Sequence, residues 1–211
     1  VGDIAGDLAS TEEMFALKDL LTRLGIKNMD CRQDGSKLDP AWGRASYIFN
    51  PTIAGIEQAD ALLIVGANPR KEAAVLNARI RKRWRSGKFP VGVIGEQADL
   101  TYTYDYLGAG AETLADVIAG KHAFAEVLKK AERPMIIVGQ GALSRPDSAA
   151  VAALAAKAAA ELGAIKDGWN GFAMLHSAAS RVGGLDIGFV PGEGGLRAVE
   201  MAANGALDVA I

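Results

Sequence analysis

One cysteine, two histidines and no long apolar run set the first limits on this sequence. Cys31 has no partner thiol, so an internal disulfide is excluded, and one thiolate cannot hold an iron–sulfur cluster alone. His122 and His176 lie far apart, and no ligand spacing of a zinc site is visible around them. No apolar stretch approaches the ~20 residues that span a bilayer, and no signal-peptide pattern is visible. The 23 Lys and Arg against 25 Asp and Glu give a formal net charge of −2, which lacks the basic excess of a nucleic-acid binder.

What is present is a large apolar fraction. Half of the 211 residues are hydrophobic, so a substantial core is expected and disorder is not. The length suits one large α/β domain or two small ones. The first residue is Val1 rather than Met, and the other end is an apolar run from Ala206 to Ile211, so both ends are expected to be cut from a longer chain.

The clearest pattern is a strand–helix–strand unit. Ala61-Leu62-Leu63-Ile64-Val65 is a short apolar run between Asp60 and Gly66, the signature of a buried parallel strand. A turn at Ala67-Asn68-Pro69 precedes a helix expected from Glu72 to Arg85, with Leu76, Ile80 and Trp84 on its inner face. Val91-Gly92-Val93-Ile94 then reads as a second strand, making a crossover unit. Upstream, Ser10 and Glu13 have capping-box spacing at the start of a helix to Leu24, with Met14, Leu17, Leu21 and Leu24 on one face and Gly25 as the stop. Residues 26–51 read as a long irregular connection. Downstream, residues 111–131 are expected to be helical with a break near Gly120, 134–138 a buried strand, 147–162 an alanine-rich helix ending at Gly163, 176–181 a short helix, 196–204 helical, and the closing run a strand. The fold class is α/β: Rossmann-like parallel sheet units with crossover helices.

Several places carry residues suited to chemistry, and each has a plainer reading. Gly139-Gln140-Gly141 follows a strand and precedes a helix, a placement suited to a phosphate. The dinucleotide fingerprint wants Gly or Ala three positions after the second glycine, and Ser144 stands there. An ordinary strand-to-helix turn is the other reading. Gly66-Ala67-Asn68-Pro69 sits at the carboxyl end of a strand, where open α/β sheets bind ligands, or is a turn fixed by Asn and Pro. Arg79, Arg81, Lys82, Arg83, Arg85 and Lys88 spread over the helix face opposite Leu76, Ile80 and Trp84. They suit an acidic protein or phosphate, or simply solvent; no interleaved aromatics suit nucleic-acid stacking. Tyr102, Tyr104 and Tyr106 alternate as on an extended segment, a stacking or redox platform or a packed edge. His176 and Ser177 are adjacent, which does not make a catalytic pair. Gly192-Glu193-Gly194-Gly195 reads as a flexible loop.

Four stretches together carry a family resemblance. Residues 59–70, Ala59-Asp60-Ala61-Leu62-Leu63-Ile64-Val65-Gly66-Ala67-Asn68-Pro69-Arg70, resemble the cofactor-domain strand and turn of molybdopterin oxidoreductases. Glu72-Ala73 with Asn77-Ala78-Arg79-Ile80-Arg81-Lys82, Asp99-Leu100-Thr101-Tyr102-Thr103-Tyr104-Asp105 and Asn50-Pro51-Thr52-Ile53-Ala54-Gly55-Ile56-Glu57 make the combination resemble the large iron–sulfur subunits of respiratory complex I. Pro134-Met135-Ile136-Ile137-Val138-Gly139 agrees more loosely.

The resemblance implies a molybdopterin-oxidoreductase-like domain, filling 1–211 or divided into lobes of about 1–130 and 131–211. It implies 2Fe-2S and 4Fe-4S clusters elsewhere in the parent chain and none in this part. No catalytic, cofactor-binding or metal-binding residue is expected here: active relatives have an Asp-Pro-Arg-type turn after the second strand, and the corresponding turn reads Gly95-Glu96-Gln97. The implied role is structural, in the NADH-oxidising arm of complex I, with other peripheral-arm subunits as partners. No nucleic acid and no membrane insertion are implied. The implied location is the cytoplasmic side of a bacterial inner membrane or the matrix side of the mitochondrial one. The alternative is the cofactor-binding domain of a true molybdopterin oxidoreductase. Because Cys31 is the one thiol, anaerobic reconstitution of this chain with iron and sulfide is expected to give no cluster absorbance and no reducible paramagnetic signal. A stoichiometric cluster would overturn that expectation.

Overall fold

The computed structural model describes residues 1–203, 205 and 207–211. In chain order its elements are β1 (Asp3–Ile4), α1 (Thr11–Arg23), β2 (Met29–Asp30), α2 (Thr52–Gly55), β3 (Ala61–Val65), α3 (Pro69–Glu72), α4 (Ala74–Arg85), β4 (Val91–Ile94) and β5 (Asp105–Gly108). There follow α5 (Ala111–Ile118), α6 (Phe124–Lys130), β6 (Pro134–Val138), α7 (Gln140–Leu143), α8 (Ser148–Glu161), β7 (Ile165–Lys166), β8 (Trp169–Asn170), β9 (Phe172–Met174), α9 (Arg181–Asp186) and α10 (Ala198–Ala203). They fall into two compact units: residues 45–175, and residues 1–44 together with 176–211. The boundary expected near residue 130 falls inside the first of these, between α6 and β6.

The unit of residues 45–175 is built on a five-stranded sheet in the order β5-β4-β3-β6-β9, with every pairing parallel. The α/β class and parallel sheet expected from the sequence are therefore present. β3, β4 and β6 are buried at every position, which explains why they read as unbroken apolar runs: a parallel strand covered on both faces has no polar side to alternate with. Val65 lies opposite both Ile94 and Val138, so these three strands end level at their carboxyl edge.

The crossover helix differs from its expected form in one respect. Asn68 caps a first short helix, α3, and Ala73 (φ −151°, ψ 67°) leaves helical geometry before α4 begins. The break lets Ala73 pack against the core. Ile80 sits within that core, and Leu76 and Trp84 pack against it partly buried. Gly120 (φ 71°) separates α5 from α6 as anticipated. Two strands of the sheet escape the sequence reading. β9 is part of a four-residue apolar run, 172–175, that was signal enough. β5 is an edge strand with exposed Asp105 and Tyr106, and only its pairing with β4 defines it. The β7–β8 hairpin was also missed; Trp169 there donates its indole N–H to the Pro134 carbonyl at 2.8 Å.

In the other unit, the capping box of α1 is complete: the Glu13 amide donates to Ser10 Oγ and the Ser10 amide to Glu13 Oε2. Met14 and Leu21 are buried, but Leu24 is 64% exposed, because it lies beyond the last turn. Residues 26–51 are less irregular than expected, since β2 pairs in parallel with β1. The helix expected at 176–181 lies instead at α9, which contains Gly183 and Gly184. The glycines explain the shift: a Cβ on Gly183 would lie 2.0 Å from Thr11 Oγ1, and one on Gly184 would lie 2.9 Å from Cys31 Cβ. Only glycine lets α9 approach α1 and Cys31 so closely. Gly192 is held by its amide to the Lys27 carbonyl at 3.0 Å, so that loop is packed rather than free. Of the closing run, Ala206 lies outside the described residues, as does Asn204 of the helix before it. Ala210 makes a parallel bridge with Gly2.

The burial order along α4 sets a stability order. Ile80→Ala should lower unfolding free energy by about 2–5 kcal/mol, Leu76→Ala by less, and Val75→Ala, at a residue 80% exposed, by under about 0.5 kcal/mol. Chemical denaturation of the three variants checks this; equal losses at Ile80 and Val75 would mean the helix faces are assigned wrongly.

Candidate functional site

The strand order places a topological switch at the carboxyl edge. From β3 the chain crosses to β4 on one side, and from β6 it crosses to β9 on the other. In open α/β sheets the crevice between two such strands is the usual ligand site. Here the loops following β3 and β6 are seated on each other. Gly66 (φ 58°) has no room for a side chain: a Cβ there would lie 2.5 Å from the Ala142 amide nitrogen. A Cβ on Gly139 would lie 2.4 Å from Ala67 Cβ, and one on Gly141 2.8 Å from the Gly66 carbonyl oxygen. The Gly139 amide extends the ladder by donating to the Val65 carbonyl at 2.9 Å. These glycines serve the approach of two loops, which is the plainer of their two readings. The helix that Gly139 caps, α7, has only four residues.

Beside this contact remains a cleft of ≈ 330 Å³ edged by Asn68, Glu72, Glu96 and Arg145, at the bottom of the range of about 300–1,000 Å³ usual for small-molecule sites. Asn68 is occupied in capping α3: its Oδ1 accepts from the Lys71 amide at 3.4 Å, and its own amide donates to Glu72 Oε1 at 2.5 Å. Arg145 donates from Nε and Nη2 to the two carboxylate oxygens of Asp147, at 2.8 and 3.1 Å. That ion pair raises the guanidinium pKa further. The rim also carries the carboxylates of Glu72, which accepts from the Asn68 amide, and Glu96. A pyrophosphate here would meet main chain where it needs room and anions where it needs donors. The residues present do not fit a nucleotide-bearing cofactor.

The turn at Gly95-Glu96-Gln97 is held by tyrosines. Tyr106 donates its hydroxyl to the Gly95 carbonyl at 3.1 Å. Tyr104 donates to the Ala98 carbonyl at 2.7 Å and accepts from the Ala98 amide at 3.1 Å. Tyr102 donates to Asn77 Oδ1 at 2.9 Å inside the core, and burial raises its pKa. The alternating tyrosines are thus a packed edge whose hydroxyls are all engaged.

The basic cluster on α4 divides in two. Arg79 and Lys82 converge on Glu57, at 3.0 and 3.1 Å. The hydrogen bond from Lys82, more than any other effect, lowers the Glu57 pKa. Arg83 donates to the carbonyls of Ala59 (2.7 Å) and Gly87 (2.9 Å) and lies over the Phe89 ring at 4.8 Å. Arg81, Arg85 and Lys88 point outward, exposed.

Sequence reasoning missed a buried charge cluster in the unit of residues 1–44 and 176–211. Asp30, 1% exposed, accepts from Arg32 Nε (2.7 Å), Arg32 Nη2 (3.2 Å) and the Ala198 amide (3.1 Å). Arg32 also donates to the Leu38 carbonyl at 2.8 Å. Arg181, 2% exposed, donates to both oxygens of Asp34 at 3.1 Å. Cys31 lies within this cluster. His176 is half-buried and Ser177 exposed. No group of three His, Cys, Asp or Glu able to hold a metal occurs among the described residues, and no helix there is long and apolar enough to cross a membrane.

Residues 1–211 match the sequence profile of the family described as molybdopterin oxidoreductase. The chain is 45% identical over 198 residues to an NADH-quinone oxidoreductase subunit of Rickettsia bellii, covering 94% of this chain and 29% of that protein. It is 46% identical over 189 residues to the same-named protein of Rickettsia felis, covering 90% and 28%. It is 42% identical over 189 residues to the mitochondrial NADH dehydrogenase (ubiquinone) iron-sulfur protein 1 of Solanum tuberosum, covering 89% and 25%. The chain therefore spans between a quarter and three tenths of the length of these relatives. Their names carry the resemblance read from residues 50–57, 59–70 and 99–105.

Burial, and after it the charge of Asp30, pushes the Cys31 thiol up to about 11, against the opposing charges of Arg181 and Arg32. A thiol whose folded pKa lies above its unfolded value of 9.0 favours the folded state below pH 9, and that contribution is lost as pH rises toward 11. Alkylation of Cys31 at pH 8 should therefore follow global unfolding, and stability should fall between pH 9 and 11 less steeply in Cys31→Ala. Rapid labelling of the folded chain would contradict the burial.

Proposed function

This chain belongs to the molybdopterin oxidoreductase family, and from that premise we propose that it is a scaffold domain within an iron–sulfur subunit of an NADH-quinone oxidoreductase. The parent subunit then passes electrons from NADH toward quinone through iron–sulfur clusters held outside residues 1–211. The domain itself supplies a folded surface and no chemistry, and it binds no molybdopterin nucleotide. Its partners are other subunits of the peripheral arm, on the matrix or cytoplasmic face of the energy-converting membrane. The observation that carries this reading is the switch point, where Gly66, Gly139 and Gly141 bring main chain against main chain and Glu72 and Glu96 edge what space remains. The names of the relatives favour it over a true molybdopterin enzyme.

Two measurements on the full-length protein test it. Elemental analysis should find iron without stoichiometric molybdenum or tungsten; either metal at one per chain would overturn the reading. Gly66→Ala should destabilise the domain by about 1–3 kcal/mol, since the new methyl overlaps main chain at a positive φ. The amount of assembled complex should then fall while turnover per assembled complex stays unchanged. A collapse of turnover in correctly assembled complex would give the domain a direct part in the chemistry.

A further inference from the structure

We propose that the outward face of α4, with Arg81, Arg85 and Lys88 at its C-terminal end, docks a carboxylate-rich surface of another protein subunit; the proposal rests on the reading of this chain as part of a multi-subunit complex. The residues 74–85 contain five cations and no acid, in a chain whose net charge is −2. Favourable placement of cations near a helix C-terminus explains part of that excess, and internal contacts explain more. Arg79 and Lys82 neutralise Glu57, and Arg83 ties the helix end to the Ala59 and Gly87 carbonyls. Arg85 in the last turn shares in the first account, but the side chains of Arg81, Arg85 and Lys88 have no hydrogen bond or ion pair among the described residues.

Lys88 adds an independent observation. It adopts φ 50°, directly after Gly87 at φ 81°. A second glycine would sit there without strain, whereas a lysine in the left-handed region is held at a conformational cost. The structure keeps the charge in spite of that cost. The neighbouring surface also has the make-up of an interface. Val75 is 80% exposed, and by helical spacing it shares a face with exposed Ala78, Lys82 and Arg85. A small apolar centre is thus bordered by guanidinium groups, which present planar forks matched to carboxylates. The aromatic side chains nearest this helix, Trp84 and Tyr102, pack inward and leave none for base stacking. Complementary charge across such a face steers association and fixes orientation.

The experiment uses the full-length chain in the assembled complex. A photo-reactive amino acid replaces exposed Ala78, and the crosslinked peptide is identified by mass spectrometry. It should come from another subunit and carry clustered Asp or Glu. The Arg81→Glu, Arg85→Glu double variant should reduce assembled complex on the order of tenfold, with the subunit still folded by circular dichroism. Changing the crosslinked carboxylates to Lys should restore assembly of that variant. Lys88→Gly should leave thermal stability unchanged or raised while weakening assembly and making it less dependent on salt. Crosslinks confined to the chain itself, or assembly of the double variant at the unaltered level, would overturn the surface. So would loss of binding to vesicles containing phosphatidylglycerol with subunit assembly intact, which would assign the face to a membrane. If the double variant assembles normally while Gly66→Ala does not, only the docking face falls and the scaffold reading stands.

Discussion

The main-chain ladder that residues 61–65 make with Val91–Ile94 on one side and Pro134–Val138 on the other governs the larger unit. It pairs the backbone polar groups of a strand that has no access to water, and an unpaired buried amide or carbonyl would be costly. It also brings three strands to one level edge. The turns that follow them, at residues 66, 95 and 139, are therefore set beside one another by register alone. The two turns read as candidate ligand sites in this unit, after Val65 and after Val138, are a consequence of that alignment.

At that edge the sequence uses glycine to bring two turns into main-chain contact. The same residue type in the same position serves pyrophosphate binding in nucleotide-binding relatives of this architecture. The difference lies in what fills the space. A phosphate requires donors aimed into an open crevice, whereas here the Ala142 amide donates to the Gly139 carbonyl at 3.1 Å, and Gly66 has no room for a side chain against Ala142. Arg145 at the rim is paired with Asp147, and the carboxylates of Glu72 and Glu96 edge the rest of the cleft. At this edge the two turns pack directly on one another.

The smaller unit is organised differently, around ions rather than an extended sheet. Asp30 joins the segment through Arg32 to the Ala198 amide, so one carboxylate links residues more than 160 positions apart. Such a buried pair adds little net stability over apolar packing, yet removal of one partner leaves a bare charge and is strongly destabilising. Asp34 and Arg181 repeat the device across the same two segments.

The sequence by itself determined the α/β class, the three central strands, the α1 capping box, the inner face of α4 and the breaks at Gly120 and Gly163. Each of these rests on local rules: apolar runs, 3.6-residue periodicity and backbone freedom at glycine. Family membership was legible too, in residues 59–70 and their company. Other features were decided only in three dimensions. β5 has exposed side chains and becomes a strand because β4 offers it an edge. α9 forms at 181–186 rather than at 176–181, because Gly183 and Gly184 let the chain approach Thr11 and Cys31. The Asp30–Arg32 and Asp34–Arg181 pairs went unread in the sequence, since nothing in their spacing marks burial. Whether Gly139 and Gly141 hold a phosphate or a neighbouring turn was likewise open in the sequence. Both uses demand the absence of a side chain, and only the position of the facing loop decides between them.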